Sequence, residues 1–219
     1  MKEFILDGNN VSIIIGGKNV MELLKKIFYK EKLNVFILKE EFYASIVEAL
    51  RKFASTKDNK DVYALVFDCD SDTGAISLRY RNKQHFLNEV SRYEEYNAKY
   101  GWAIYGLHGS EYEPGEFPFI ECEVSKLVKH FTDSYYYYEV GTYYGEGKPL
   151  EDIKDNYREL FWELVIDTIN RLKNSISQIG IDTTDNFIIF HCDHDQSYED
   201  RDKMIRKTVN DELIQKIGK

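Results

Sequence analysis

The sequence predicts an α+β fold, a largely antiparallel sheet flanked by amphipathic helices. Two observations lead there. Two pairs of short apolar runs are joined by turn-forming residues, as in hairpins, at 2–15 and at 62–80. Helical segments with apolar residues at spacings of three and four follow these pairs, giving the order ββα(α)ββαββααβα.

Taken in order, the runs 2–6 and 11–15 flank Asp7-Gly8-Asn9-Asn10, a turn signal, and Gly16-Gly17 ends them. Asn19 with Glu22 resembles a capping box, and Val20, Leu23, Leu24, Ile27 and Phe28 then follow at helical spacing. Residues 35–38 fit strand or helix equally. Phe42, Ile46, Val47, Leu50 and Phe53 define a second amphipathic helix, closed by the polar stretch 55–61. The runs 62–67 and 75–80 form a hairpin around 68–74, and a helix with Phe86, Val90 and Tyr93 on one side follows. Residues 102–107 and 117–123 read as strands, and 124–131 as a short helix. The longest helix spans about 150–177, with Pro149 suited to its first turn and Gly180 as its stop. The last strand is 187–192. Ser197 with Asp200 caps a final helix carrying Ile205, Val209, Leu213 and Ile217, with Gly218 at its end.

A chain of 219 residues supports one substantial core, and with three prolines and no Pro/Gly/Ser-rich stretch it offers no linker. The reading is a single domain, 1–219, with 1–40 a hairpin-and-helix extension and 41–219 the core. The hydrophobic fraction of 43% and aromatic fraction of 15% suffice for a packed interior. A formal charge of −9 disfavours nucleic acid, whose binders must neutralise phosphates, and suits a basic partner. The cluster Lys203, Arg206 and Lys207 lies along a helix and reads as a solvated face. Residues 1–7 lack the apolar core of a signal peptide, and no apolar run approaches the ~20 residues that span a bilayer. Cys69, Cys122 and Cys192 are odd in number and without a Cys-x-x-Cys pair, as expected of reduced thiols in a cytoplasm.

Two strand-like runs end in nearly the same tail: Phe67-Asp68-Cys69-Asp70-Ser71-Asp72 and Phe190-His191-Cys192-Asp193-His194-Asp195. If the strands are neighbours of like polarity, these groups meet at one rim of a sheet; if not, each tail is a turn. No cofactor is expected. Convergence would make Asp68, Asp70, His191, Asp193 and His194 ligand types suited to Zn²⁺ or Mn²⁺. Asp68-x-Asp70-x-Asp72 is not an EF-hand loop, because its sixth and twelfth positions hold Thr73 and Arg79 in place of Gly and Glu. Gly16-Gly17-Lys18 lacks the phosphate-loop frame, and the segment 106–110 lacks the Gly-x-Ser-x-Gly elbow.

Tyr135, Tyr136, Tyr137 and Tyr138 are consecutive and are followed by Glu139, Tyr143, Tyr144 and Glu146. In a strand only alternate rings can be buried; the others cover neighbouring structure or face a partner. Tyrosines flanked by carboxylates and glycines are good recognition material, and these eight residues are the expected binding surface. The competing reading is a strand with alternate rings buried and hydroxyls at the surface.

From about residue 42 onward the chain resembles an uncharacterised bacterial family, the domain of unknown function numbered 4303. The resemblance rests on the helix at 42–53, the strand and acidic turn at 62–72, the Trp102-centred segment to Phe119, and the helix–strand pair at 160–195. It brings no catalytic residues. It implies a small acidic bacterial protein of the sort that serves as immunity protein against toxins. The expected function is therefore a non-enzymatic cytoplasmic inhibitor of a basic toxin domain, without nucleic acid or membrane. The alternatives are a metal-dependent hydrolase at the paired strand ends, or a regulatory subunit docking through its tyrosines.

Overall fold

The strand Val62–Asp70 (β1) is buried along nearly its whole length, as its unbroken apolar run requires of a central strand covered on both faces. The computed structural model that shows this describes residues 33–194 and 196–217. Val35–Lys219 forms one unit. The expected hairpin at 2–15, the helix from Asn19 and the helix end at Gly218 lie outside the described residues.

β1 turns at 71–74 into Ala75–Asn82 (β2), antiparallel to it, with Leu65 opposite Tyr80 and Phe67 opposite Leu78. On its other side β1 pairs in parallel with Thr183–Asp193 (β3), giving the order β2-β1-β3. The class is α+β as expected. Among the described residues the sheet is small and mixed, with one antiparallel and one parallel pairing. The parallel neighbour enters from more than a hundred residues away, beyond the reach of any local turn signal.

Val35–Ala54 (α1) is helical from its first ambiguous residues and buries Leu38, Phe42, Ile46, Leu50 and Phe53 on one face. Asn82 caps Lys83–Tyr100 (α2) by accepting from the His85 amide, and Gly101, at φ +72°, ends it. The expected strands at 102–107 and 117–123 are absent. The first contains Gly106 at φ +80°, and short 3₁₀ turns at Ser110–Tyr112 and Pro114–Glu116 follow it. The second makes one bridge, Arg79 with Phe119, flanked by Tyr80 N–H to Pro118 O and Ile120 N–H to Leu78 O. Pro118 has no N–H to extend the ladder, so the segment covers the edge of β2 without becoming a strand.

Ser125 caps Lys126–Val140 (α3), which runs nine residues past the expected end at 131 and takes in all four consecutive tyrosines. The expected helix 150–177 is a 3₁₀ turn at Glu151–Ile153 and then Tyr157–Ile179 (α4), stopped by Gly180 at φ +96°. Ser197 does cap the next helix, its hydroxyl accepting from the Asp200 amide. The expected single helix divides into Tyr198–Thr208 (α5) and Asp211–Ile217 (α6), where Asn210 accepts from the Leu213 amide and restarts it. Among the described residues no helix is long and apolar enough to cross a membrane.

The two faces of the sheet carry different cores. Phe67 meets Phe42 of α1, and His191 meets Trp162 of α4. On the opposite face Ala64, Val66, Ile188, Phe190 and Cys192 pack with Phe86 and Tyr93 of α2, with Tyr112 and Phe117, and with Ile205, Ile214 and Ile217 of α5 and α6.

Candidate functional site

The two acidic strand ends are parallel neighbours, so their tails lie at the same rim of the sheet. The register then separates their side chains. Phe67 is opposite His191, Asp68 opposite Cys192 and Cys69 opposite Asp193. Side chains alternate between faces, so Asp68 shares a face with Cys192 while His191 points the other way. The set Asp68, Asp70, His191, Asp193 and His194 therefore does not make one coordination sphere. Among the described residues no cluster of three metal-ligating side chains occurs. Asp70 accepts from the amides of Asp72 and Thr73 within its own turn. Asp193 accepts from the amide and hydroxyl of Ser71, and the His194 amide donates to Cys69 O. Asp195 lies outside the described residues.

His191 is fully buried beside Trp162, and among the described residues neither ring nitrogen has a hydrogen-bond partner. Burial lowers its pKa to about 4, helped by the positive charges of Lys207 and Lys173. The folded-state pKa is below the ordinary 6.5, so the unfolded chain binds the proton more tightly. Stability held above pH 6.5 is expected to fall by up to ~3 kcal/mol as pH drops towards 4. Urea titrations of wild type and His191→Leu between these pH values check this: the difference between them should grow with acidity. Parallel curves would mean that His191 does not titrate there.

On the Asp68 and Cys192 face the rim opens into a cleft of about 890 Å³ outside the carboxyl ends of the parallel pair. That is a common place for ligands in sheets with parallel strands. Its framework is two arginines. Arg79 pairs with Asp68 at 2.9 Å, donates to Phe117 O at 3.3 Å, and stacks under the exposed Phe119 ring at 3.9 Å. Arg201 is 4% exposed; it pairs with Glu113 at 2.9 Å, donates to Leu107 O at 3.0 Å, and lies 4.7 Å from the Tyr198 ring. Both therefore tie the irregular 101–120 segment to the sheet and to α5.

Local sequence places the aromatic rim. Gly101 turns the chain out of α2, and the Asn97 amide group donates to Trp102 O at 2.7 Å. Trp102 stacks on Tyr100 at 5.1 Å yet stays 55% exposed. Tyr198, the first residue of α5, is 56% exposed and stacks on His108, which bonds to Asp202 at 2.8 Å. The cleft is lined by three carboxylates, Asp68, Glu113 and Glu116, against the two arginines; Asp193 also borders it, but its carboxylate lies on the Cys69 and His191 face, held by Ser71. The Cys192 thiol donates to Asp68 at 3.6 Å, and burial pushes its pKa up, so it stays protonated. Sequence reasoning missed Trp102, Glu113, Tyr198 and both arginines as site residues. For Arg79 the available signal was its alternation, with Arg81, against Leu78 and Tyr80 in one strand; Arg201 gave none beyond its place in a helix.

The tyrosine run departs from its expected place. A helix turns successive residues by about 100°, so the four rings point around α3 instead of alternating. Tyr135 is fully buried against Phe161 and Tyr157, and its hydroxyl donates to Ser71 O. Tyr136, Tyr137 and Tyr138 are half-buried on Tyr144, Tyr143 and Tyr157 respectively. Glu139 is held by Arg158, which lowers its pKa below the usual carboxylate range. Of the eight residues, only Tyr144, at 76%, and Glu146 remain broadly exposed. The expected recognition surface is mostly the packing of α3 against its own loop and α4.

No family model matches the chain, and no curated protein or solved structure matches it. The resemblance noted above rests on sequence patterns alone.

Proposed function

We propose that this chain is a non-enzymatic, acidic binding protein of the bacterial cytoplasm that captures a basic protein partner, as an immunity-type inhibitor captures a basic toxin domain. One observation carries the reading: a preformed cleft with more carboxylates than cations, rimmed by the exposed rings of Trp102 and Tyr198. Exposed Trp and Tyr beside satisfied polar groups are the usual anchors of protein interfaces. The formal charge of −9 adds long-range steering towards a cationic partner. The protonated Cys192 thiol and the enclosed neutral His191 suit a binding site better than a nucleophilic one. The resemblance to the bacterial family points the same way.

The test is capture of the partner by the tagged full chain from cells of its own source, followed by affinity measurements. Trp102→Ala and Tyr198→Ala should each weaken binding by ~1–3 kcal/mol, with unfolding midpoints unchanged. Association should slow steeply with added salt. Retained affinity in both variants, or association indifferent to salt, would reject the cleft as the binding surface.

A further inference from the structure

We infer that a second pocket, beyond the outer edge of β3, binds a small organic acid whose apolar tail lies on the strand and whose carboxylate meets Lys207 and Lys173. The inference goes beyond the binding reading above and is independent of it, because this pocket shares no lining residue with the cleft. Its place follows from the layers of the fold. α4 covers one face of the sheet, and α5 with α6 covers the other. A pocket lined by all three helices and by β3 therefore lies past the edge of the strand that does not pair with β1. Its volume is about 440 Å³, within the usual range for small-molecule sites. Ile176 of α4, Phe187, Ile188 and Ile189 of β3, and Val209 and Leu213 beside α5 and α6 give it an apolar floor.

The rim reverses the charge of the molecule. In a chain of formal charge −9, this pocket is lined by three cations, Lys173, Arg206 and Lys207, and by no carboxylate. Arg206 is paired with Asp211, which stands outside. Lys173 reaches across to Thr208 O at the carboxyl end of α5 and to Asn170 Oδ1 at 3.4 Å, both neutral acceptors. Lys207 has no ion pair among the described residues. A second observation shows that the two lysines act on one place: both ammonium charges help to lower the pKa of His191, enclosed on β3 beside them. Burial lowers that of Lys173 as well. Like charges gathered over an apolar floor repel one another and lose hydration, and an anion seated between them offsets both effects. The floor selects the rest of the ligand. An apolar tail covers it at about 25 cal/mol for each Å² removed from water, whereas a small multiply charged anion would shed hydration against it for no return.

The experiment titrates the full chain with octanoate, octan-1-ol and octylamine and follows the methyl NMR signals of Leu213, identified by Leu213→Ile. Octanoate should shift them saturably. Octan-1-ol, the same tail without the charge, should bind at least about tenfold more weakly, and octylamine should not bind. Lys207→Gln alters an exposed position with no ion pair to lose, so it should fold normally and weaken octanoate about tenfold. Lys173→Met keeps the stem, removes the charge, and should weaken octanoate by a similar factor. No saturable response to octanoate, equal responses to octanoate and octan-1-ol, or an octanoate response unchanged in both lysine variants would overturn the inference. Tighter binding of inorganic phosphate would make this a plain anion site. Tighter binding of a tetrapeptide with a C-terminal leucine would make it a site for a chain end. Either result also overturns the assignment to a small acid.

Discussion

Tyr135→Ala is expected to destabilise the protein by ~3–5 kcal/mol, the usual cost of emptying a buried aromatic site. The ring is fully buried between Phe161, at a centroid distance of 5.0 Å, and Tyr157, also at 5.0 Å. Its hydroxyl reaches across to Ser71 O in the turn between β1 and β2, and Ser71 in turn holds Asp193 at the end of β3. One side chain of α3 therefore ties both acidic tails together. Tyr135→Phe keeps the ring and loses only the hydroxyl, so it should cost ~1 kcal/mol. The same contact fixes Gly74, which lies at φ +75°; an added Cβ there would stand 2.5 Å from the Tyr135 ring. Gly74→Ala thus combines an unfavourable backbone with a clash against a core ring. Urea unfolding of the three variants is the measurement. A Tyr135→Ala loss below ~1 kcal/mol would mean that the ring is not core, and the tyrosine run would again be a candidate surface.

Arg81→Ala is expected to cost a similar ~3–5 kcal/mol, because it empties a large buried site and leaves the Glu116 carbonyl and the Tyr93 hydroxyl without their donor. Arg81 is 1% exposed in the apolar face of the sheet. It donates to Glu116 O at 2.9 Å and to the Tyr93 hydroxyl at 2.6 Å, and its guanidinium lies 5.5–5.8 Å from the rings of Phe86, Tyr93 and Phe117. The Tyr93 hydroxyl continues to the carboxylates of Glu89 and Glu116, which Arg92 also binds. Loss of Arg81 releases the Pro114–Glu116 turn, one wall of the cleft, from β2. Arg81→Met fills much of the volume and should recover part of the stability without restoring that tie. Hydrogen exchange at the Phe117 and Ile120 amides, bonded to Pro114 O and Leu78 O, should then quicken in both variants. Unchanged exchange with near-native stability would show that the turn is held by other contacts.

The legible parts of the sequence were those set by short-range physics. The hairpin of β1 and β2, the Ser197 cap, the Gly180 stop and the amphipathic stripes of α1 and α4 each depend on residues within a few positions of one another. The matched acidic tails were visible as well, and their strands are adjacent. Which chemistry the tails can perform was not visible, because a parallel register decides which side chains share a face. The tyrosine run carries no period, since four identical residues fit a helix as well as a strand. Packing of Tyr135 under α4 resolved it. The segment 102–123 has the aromatic content of strands, but its glycines and Pro118 deny it a ladder.

By itself, the sequence determined an acidic, aromatic-rich α+β chain with amphipathic helices, because composition and hydrophobic period are local properties. Only the tertiary structure decided that β3 joins β1 in parallel, that His191 is enclosed, and that Arg79, Trp102, Glu113, Tyr198 and Arg201 surround one cleft. Those residues are spread over more than a hundred positions, and no local rule brings them together. Burial of two unlike faces of one sheet does, because each face must be covered by different helices, and the rim at the carboxyl ends of the parallel strands is left open.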